Sequence, residues 1–527
     1  MKRLFSRVLT SFAILLFGMA SPATAEWRVA ESDNFVIYAE DSEKDLTRFA
    51  EMLERYHAAM SFVTGRETEP PSPSNRVTIF VAGGQRDIRR LAGTDSRYVA
   101  GFYRARAGGS VAFVQDIKLT SGDLNWSMII LLHEYAHHYI ISASRYGMPR
   151  WISEGSAEFF ASAKFFGDGT VQIGRPANHR ASEFAYAEDV TVRELLDPAL
   201  YEAKRGKAYD AFYGKAWALY HYLSFNEERS GQLSAYMRAI MSGAASPVAA
   251  EEAFGDIGKL EREVKTYLRS RRMTTFNLKP EVLSIGSIRV RELSKGAGEM
   301  MPVVMQSKRG VNDEQAATVL EQARKIAPYY PDDPFVLAAL AEAEFDAGND
   351  DAAIAAADAA IARDPASANA FLQKGYALFR KAEAAEDQDA AYRAAMEPFS
   401  KLNGLETDHP LPLLYYFRSY ADRGLEPPEQ AKHALERAAQ LAPFDKSLWM
   451  NVGTMQAGEG QIALAQFSLA PIANDPHGGS SAESAKALIA LLEQAPEGEP
   501  FDIGAARALA NLAQEDGGGG GEPGEQE

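Results

Sequence analysis

The sequence contains no cysteine among its 527 residues. Disulfide bonds, thiolate metal ligands and cysteine nucleophiles are therefore all excluded, and any metal ion would have to be held by histidine and carboxylate groups. Positive charge is also scarce, because 55 lysine and arginine residues face 72 aspartate and glutamate residues, giving a net charge of −17. Since phosphate binding requires clustered basic residues, we expect no nucleic-acid partner.

Long hydrophobic runs are missing as well. The apolar segment FAILLFGMA at 12–20 is shorter than the roughly 20 residues that a membrane-spanning helix needs. It follows Lys2, Arg3 and Arg7 and precedes small residues at 23–25, which is the arrangement of a secretory signal peptide cleaved near Ala25. We therefore predict an exported protein, periplasmic or secreted from a bacterium, with no membrane span in the mature chain.

The composition of the mature chain predicts several domains after a signal peptide at 1–25. Residues 26–275 mix strand-like and helical segments and predict an α+β domain. Residues 276–300 are a poorly patterned connector, residues 301–495 are alanine-rich and helical, and residues 496–527 form a flexible, acidic, glycine-rich tail.

Three strands and one helix stand out within the α+β domain. NFVIYAE (34–40), NRVTIFVA (75–82) and GSVAFVQ (109–115) have the alternation or β-branched content of strands. A helix with the sequence LLHEYAHHYI at its centre follows the third strand, with Ser121 and Asp123 as candidate N-caps.

The alanine-rich part of the chain repeats itself with a period near 34 residues. Ala341 has its counterpart in Gly375, and Pro365 and Pro443 close two successive blocks. Small residues at such positions let two antiparallel helices approach closely and stack on the next pair. The pattern resembles tetratricopeptide repeats, with about four copies between 300 and 480 and a degenerate first copy at 311–328. This resemblance implies an all-α solenoid that binds a protein partner.

The helix after the third strand carries the motif H-E-x-x-H. His133 and His137 lie one helical turn apart on one face, so that both imidazoles can reach a single cation. Glu134 lies beside that cation, where it can accept a proton from water. The neighbouring run MIILL indicates a largely buried helix, in which ionisable groups are costly unless paired or bound to metal.

A zinc hydrolase needs a third protein ligand and one open position. The next helical segment, WISEGSAEFF, offers Glu154 and Glu158, again one turn apart. Glu154 is the expected ligand, and Glu158 is the expected acceptor that orients a ligand histidine. Glu158 remains the alternative ligand.

Together, HEYAHH and WISEGSAEFF resemble the gluzincin metallopeptidases, which include thermolysin, the membrane-alanyl-type aminopeptidases and the peptidase MA-like families. The resemblance implies a zincin-like fold, Zn²⁺ bound by His133, His137 and Glu154, and Glu134 as general base. Sixteen residues separate His137 from Glu154, slightly fewer than in the aminopeptidases.

The segment FYGKAWAL (212–219) is similar to the aminopeptidase segment whose tyrosine stabilises the oxyanion. This similarity implies Tyr213 as a second catalytic residue, with Tyr209 as the alternative. The strand at 109–115 precedes the motif helix, and the resemblance implies that it is an edge strand that pairs with extended substrate. The alternative is that this segment is an ordinary buried strand.

Other histidines are not expected in the site. His138 points about 100° away from His137 on an ideal helix. His179 and His221 have no motif around them that indicates catalysis.

The sequence therefore predicts an exported zinc metallopeptidase that cleaves a peptide or protein substrate and carries a repeat array for a protein partner. The aminopeptidase signature Gly-Ala-Met-Glu-Asn is absent, which favours an endopeptidase. Two alternatives stay open. One is a catalytically inactive, metallopeptidase-like scaffold whose repeats bind a partner, and the other is a hydrolase of non-peptide amides that uses the same site.

Overall fold

The computed structural model describes residues 26–66, 70–94, 96, 99–117, 124–144, 146–204, 206, 209–502 and 504. The predicted signal peptide and most of the predicted tail lie outside these ranges, as do the two candidate N-caps Ser121 and Asp123. Within the described part of the chain, no helix is long and apolar enough to cross a membrane.

Two small sheets organise the first domain. The nine strands of the described residues are β1 (Arg28–Glu31), β2 (Phe35–Ala39), β3 (Val77–Val81), β4 (Gly101–Arg104), β5 (Val111–Val114), β6 (Lys164–Phe165), β7 (Val171–Ile173), β8 (Phe276–Leu278) and β9 (Arg289–Glu292). The larger sheet has the order β4-β5-β3-β2-β1-β9, with β2, β3 and β5 parallel and the other neighbours antiparallel. The smaller, antiparallel sheet has the order β6-β7-β8.

The sheet order corrects the sequence interpretation of the third strand. β5, within the predicted strand at 109–115, lies between β3 and β4 and is not an edge. The edge strand is β4, which pairs antiparallel with β5. All four residues of β5 are buried, which explains why its sequence reads as a core strand.

Helices complete the described part of the first domain. They are α1 (Glu43–Thr64), α2 (Gln85–Ala92), α3 (Trp126–Ala143), α4 (Arg150–Ala161), α5 (Glu183–Tyr186), α6 (Val192–Leu196), α7 (Pro198–Lys204), α8 (Phe212–Phe225), α9 (Gln232–Met241), α10 (Ser246–Phe254) and α11 (Ile257–Tyr267). The motif helix α3 begins after Asn125, whose side chain accepts a hydrogen bond from the backbone N–H of Met128.

The predicted connector contributes to both sheets. Within 276–300, β8 pairs with β7 and β9 pairs with β1, so this segment is part of the first domain and not a plain linker. The two strands have three and four residues, too few for an alternating pattern to be recognised in the sequence.

The rest of the chain is an array of helix pairs. Its helices are α12 (Lys295–Arg309), α13 (Asp313–Ile326), α14 (Pro334–Asp346), α15 (Asp350–Arg363), α16 (Ala368–Glu383), α17 (Gln388–Leu405), α18 (Pro410–Ala421), α19 (Glu429–Leu441), α20 (Lys446–Gly458), α21 (Ile462–Ala473) and α22 (Ser480–Leu492). They form five pairs, α12/α13 to α20/α21, followed by α22. The predicted degenerate first copy at 311–328 is the second helix of the first pair, and α12 precedes it.

The helical-repeat array packs against the first domain at several points along the array. Side chains of β3 and β5 alternate between two cores: Ile79 and Ala112 face the core with α1 and α3, whereas Phe80 and Phe113 face the core with α12 and α14. The first helix pairs of the array therefore cover one face of the larger sheet.

The turn between β4 and β5, residues 105–110, packs against the array. Arg106 donates a hydrogen bond from Nη2 to the carbonyl oxygen of Lys308 at the end of α12, at 2.8 Å. The backbone N–H of Ala107 donates to Oδ2 of Asp445, the N-cap of α20, at 2.7 Å. The turn thus bridges the first and the fifth helix pairs of the array.

Candidate metal centre

The three predicted metal ligands meet at the contact between α3 and α4. His133 and His137 lie one turn apart on α3, and Glu154 lies on α4, which follows after a short loop. All three are buried, and Glu154 has no exposed surface at all. Among the described residues, they form the group of histidine and carboxylate side chains whose ligand atoms all lie within 4.8 Å of one another.

The ligand atoms form a nearly equilateral triangle. The Nε2 atoms of His133 and His137 are 3.1 Å apart, and each lies 3.3 Å from Oε2 of Glu154. Two atoms that are each about 2.0–2.1 Å from a tetrahedral zinc ion lie about 3.3 Å from each other. The spacing of the triangle therefore fits three ligands of one zinc ion.

The Glu154 carboxylate supplies an independent test of this fit. Both of its oxygens are buried, and neither accepts a hydrogen bond of acceptable geometry. A buried carboxylate without such partners is costly, and a cation between it and the two imidazoles would remove that cost. The donor set of two imidazoles and one carboxylate is one that zinc accepts.

The electrostatics of the pocket also favour a positive charge there. Burial alone would raise the pKa of the Glu154 carboxyl, but the imidazoles of His137 and His133 hold it well below its usual range. Burial lowers the pKa of His133, yet Glu154 and Glu158 outweigh burial and raise it to about 10. Two buried carboxylates thus face the imidazole pair and stabilise a cation at that position.

Each ligand imidazole is oriented through its second nitrogen. Nδ1 of His133 lies 3.1 Å from Oε1 of Glu158, and Nδ1 of His137 lies 3.2 Å from the hydroxyl oxygen of Ser153. Both partners come from α4, within four residues of Glu154. Such contacts fix the tautomer and the ring plane of a ligand histidine.

Glu158 is itself fixed by a basic pair. Nε2 of His179 lies 2.5 Å from one oxygen, and Arg180 donates from Nη2 to the other at 2.6 Å. Burial alone would raise the pKa of Glu158, but His133, His179 and Arg180 hold it well below its usual range. No sequence pattern indicates His179 and Arg180, because tertiary folding brings them to α4 from beyond β7. His179, set aside in the sequence interpretation, supports the carboxylate that orients His133.

The predicted general base lies next to the edge strand. Glu134 is half-buried and neighbours Gly101, Phe102 and Tyr103 of β4. β4 thus has the position beside the base that the sequence interpretation had assigned to the strand at 109–115.

Of the two candidate tyrosines, Tyr213 lies nearer the ligands. Its ring centroid is 6.4 Å from that of His133, and the guanidinium of Arg180 lies 4.5 Å from the centre of the Tyr213 ring. Tyr209 is 60% exposed, and its hydroxyl donates to Oε1 of Glu183 at 3.2 Å.

A glycine allows the helix with Tyr213 to approach the helix with Glu154. An added Cβ at Gly155 would lie 2.6 Å from the carbonyl oxygen of Ala216 in α8. The glycine of the S-E-G sequence is therefore required for this close contact, since a side chain would push α8 away.

Two further histidines occupy other places. His138 lies outside the ligand triangle, with Nδ1 2.6 Å from the Tyr103 hydroxyl, and burial lowers its pKa to about 3. His221 is a core residue whose ring nitrogens contact the Tyr267 hydroxyl and the carbonyl oxygen of Gly174, both at 2.7 Å.

Residues 128–245 match the model of a protein family described as "Protein of unknown function (DUF1570)". The match takes in all the predicted metal ligands and catalytic residues but none of the repeats. No curated protein sequence is similar enough to the chain to count as a match.

Solved structures of other proteins also match part of the chain. A thermophilic TPR protein from Thermus thermophilus is 16% identical, with a TM-score of 0.32, and the alignment covers 38% of this chain and 98% of that one. MamA from Desulfovibrio magneticus is also 16% identical, with a TM-score of 0.25, and the alignment covers 38% of this chain and 97% of that one. Identities this low, with TM-scores below 0.5, carry no information about shared function.

Proposed function

We propose that this protein is an exported zinc-dependent endopeptidase whose metal ligands are His133, His137 and Glu154. The observation that carries the proposal is the triangle of ligand atoms, 3.1–3.3 Å on each side, which closes on a carboxylate with two buried oxygens that lack hydrogen bonds. A structural metal site has no use for a general base, whereas here Glu134 directly follows the proposed ligand His133 and is half-buried beside β4. The signal-like residues at the N-terminus support export.

A zinc ion held there would act as a Lewis acid on the scissile carbonyl and would lower the pKa of a water molecule. The Glu134 carboxylate accepts a proton from the attacking water and returns it to the leaving amine. The Tyr213 phenol donates a hydrogen bond to the oxygen on which negative charge develops. Glu158 and Ser153 keep the two ligand imidazoles in one orientation through their Nδ1 atoms.

We also propose that the helical-repeat array binds a protein partner. The first domain already fills the part of the array that receives residues 105–110. A partner would therefore bind elsewhere on the array, while the contacts with the first domain keep α3 and β4 in place.

Replacing Glu134 by glutamine tests the proposed chemistry. The amide is nearly the same size but cannot accept the proton, so we expect Glu134→Gln to keep its zinc and to lose at least about 100-fold in kcat. The measurement is cleavage of a mixed peptide library by the zinc-loaded full chain, followed by mass spectrometry, with zinc content determined on the same samples.

The wild-type chain and Glu158→Gln provide the controls. The second variant keeps the base and is expected to lose metal affinity before it loses turnover at saturating zinc. Zinc bound by the wild type without cleavage of any peptide would contradict the peptidase and favour the inactive scaffold. Cleavage by Glu134→Gln at the wild-type rate would remove Glu134 from the mechanism.

A further inference from the structure

The last helix pair of the array reaches the candidate metal centre. His477 lies in the segment 474–479 between α21 and α22, more than 300 residues beyond the ligands in the sequence. Its ring centroid is 5.3 Å from that of His137, at an interplanar angle of 79°. The edge of one imidazole thus meets the face of the other, and the contact joins the array to a predicted ligand.

His477 differs from the ligand histidines in exposure. His137 is buried, whereas His477 is exposed to solvent. Its ring does not belong to the group of described residues whose ligand atoms lie within 4.8 Å of one another. His477 therefore stands beside the proposed metal ligands and not among them, and it is the solvent-exposed partner in the ring contact with His137.

The segment that carries His477 is held in place on both sides. Oδ1 of Asp475 accepts the backbone N–H of His477 at 2.9 Å, and the second oxygen of Asp475 lies 2.5 Å from Nζ of Lys446 on α20. On the other side, an added Cβ at Gly147 would lie 2.6 Å from Nδ2 of Asn474. The loop that leads from α3 to α4 therefore packs directly on the end of α21.

We propose that the last repeat places His477 beside the metal centre, where its imidazole hydrogen-bonds to substrate bound there. This inference rests on the proposed peptidase function and deepens it. An exposed imidazole can donate or accept a hydrogen bond to a peptide group, and its backbone is fixed by contacts within the array and with the first domain. The array is then one wall of the active site and more than a surface for a partner.

His477→Ala and His477→Gln test the proposal, with His433→Ala as the matched control. His433 is an exposed histidine on α19 of the same array. With a peptide that the wild type cleaves, we expect His477→Ala to lower kcat/KM about tenfold, the effect of one lost hydrogen bond. We expect His477→Gln to recover part of this loss and His433→Ala to match the wild type. Zinc content stays at the wild-type value in all three variants.

A second readout does not depend on turnover. When the full chain is loaded with Fe²⁺ in place of zinc and treated with ascorbate and oxygen, oxidation concentrates on side chains nearest the metal, and peptide mass mapping locates it. We expect oxidation at His477 but not at His433, and we expect Glu154→Gln to abolish it because the metal is no longer held.

The two readouts separate the inference from the proposed function. If His477→Ala equals His433→Ala in kcat/KM, or if the ligand histidines are oxidised and His477 is not, the inference is wrong while the peptidase stands. If the wild type cleaves no peptide, the peptidase fails, and oxidation decides whether the last repeat faces the metal.

Discussion

At the scale of single residues, Glu154 and Glu158 have one kind of electrostatic environment and Asp346 has another. Glu154 and Glu158 face imidazole and guanidinium groups that hold their pKa values well below the usual range. Asp346, at the end of α14, has the opposite environment. Burial and the charge of Glu342 raise its pKa to about 6, and the opposing effects of Ser307, Lys308 and Arg106 do not compensate. One of its oxygens is also buried without a hydrogen bond. The first environment suits a cation, and Asp346 costs stability.

Asp346 therefore predicts a pH dependence of stability. Its folded pKa of about 6 lies above the ordinary value of 3.8, so the native state binds the proton more tightly than the unfolded state. The protonated Asp346 therefore favours the folded state relative to the ionised one. This stabilisation is fully present below about pH 4 and is lost as the pH rises through 6. At pH 7, Asp346→Asn should raise the free energy of unfolding by about 1–2 kcal/mol, and the gain should vanish near pH 4.

Chemical denaturation at several pH values measures this effect. The control is Asp351→Asn, an exposed position on α15, where the change should stay within about 0.5 kcal/mol. An equal effect of the two substitutions at pH 7 would show that Asp346 is not destabilised by burial.

Sequence spacing could predict that His133, His137 and Glu154, the proposed metal ligands, come together, because they lie on two consecutive helices. H-E-x-x-H fixes two imidazoles on one face, and the S-E-G helix offers a carboxylate after a short loop. Ser153 directly precedes Glu154 in the sequence, but nothing in its sequence context indicates the hydrogen bond to His137. His179, Arg180 and His477 come from distant segments that only tertiary packing brings to the site.

At the scale of elements, α3, α4 and the repeat helices were predictable, whereas six short strands were not. β2, β3 and β5 lie within predicted strands, whereas the six strands that were missed have two to four residues each. A two-residue period cannot be recognised over so few positions, and β5, which is equally short, was recognised from its β-branched content instead. The repeat helices were recognisable because small residues recur where two helices touch: an added Cβ at Gly375 would lie 2.6 Å from the Phe399 ring, and one at Gly453 would lie 2.6 Å from Leu469.

Gly375 gives a test of this packing. Gly375→Ala inserts a methyl group against the buried ring of Phe399 on α17, so we expect the free energy of unfolding to fall by about 1–3 kcal/mol. Gly404→Ala, also on α17, is the control, because no atom lies within 4 Å of an added Cβ there. This second change should stabilise the helix by up to about 1 kcal/mol. Thermal unfolding of both variants measures the difference, and a neutral Gly375→Ala would contradict close packing of α16 on α17.

At the scale of the whole molecule, the array and the first domain form one continuous structure. The array covers one face of the larger sheet, packs around the turn at 105–110, and places His477 against His137, a proposed metal ligand. Composition divided the chain into a domain, a connector and repeats, because alanine content changes sharply near residue 300. No local pattern could predict that the repeats fold back onto the domain, since those contacts join residues hundreds of positions apart.

Gly108 tests the insertion of the turn into the array. It has a positive φ of 71°, and an added Cβ would lie 2.6 Å from Leu411 and 3.1 Å from His409. Gly65 has nearly the same φ, 66°, but no atom within 4 Å of an added Cβ. Both alanine substitutions introduce the same backbone strain. We therefore expect Gly108→Ala to lower the free energy of unfolding by about 1–3 kcal/mol more than Gly65→Ala does, and this difference measures the contact with the array. Equal free energies of unfolding for the two variants would show that the turn does not pack against α18.

The central claim is that His133, His137 and Glu154 bind one zinc ion, and its most direct test is a zinc titration against a chelating dye. We predict one tightly bound zinc per wild-type chain. Loss of an outer partner of a ligand weakens binding by about 10–100-fold, so Glu154→Gln, which removes a ligand, should weaken it at least as much. A wild-type chain that binds no zinc, or a Glu154→Gln variant with wild-type affinity, would contradict the metal centre described above.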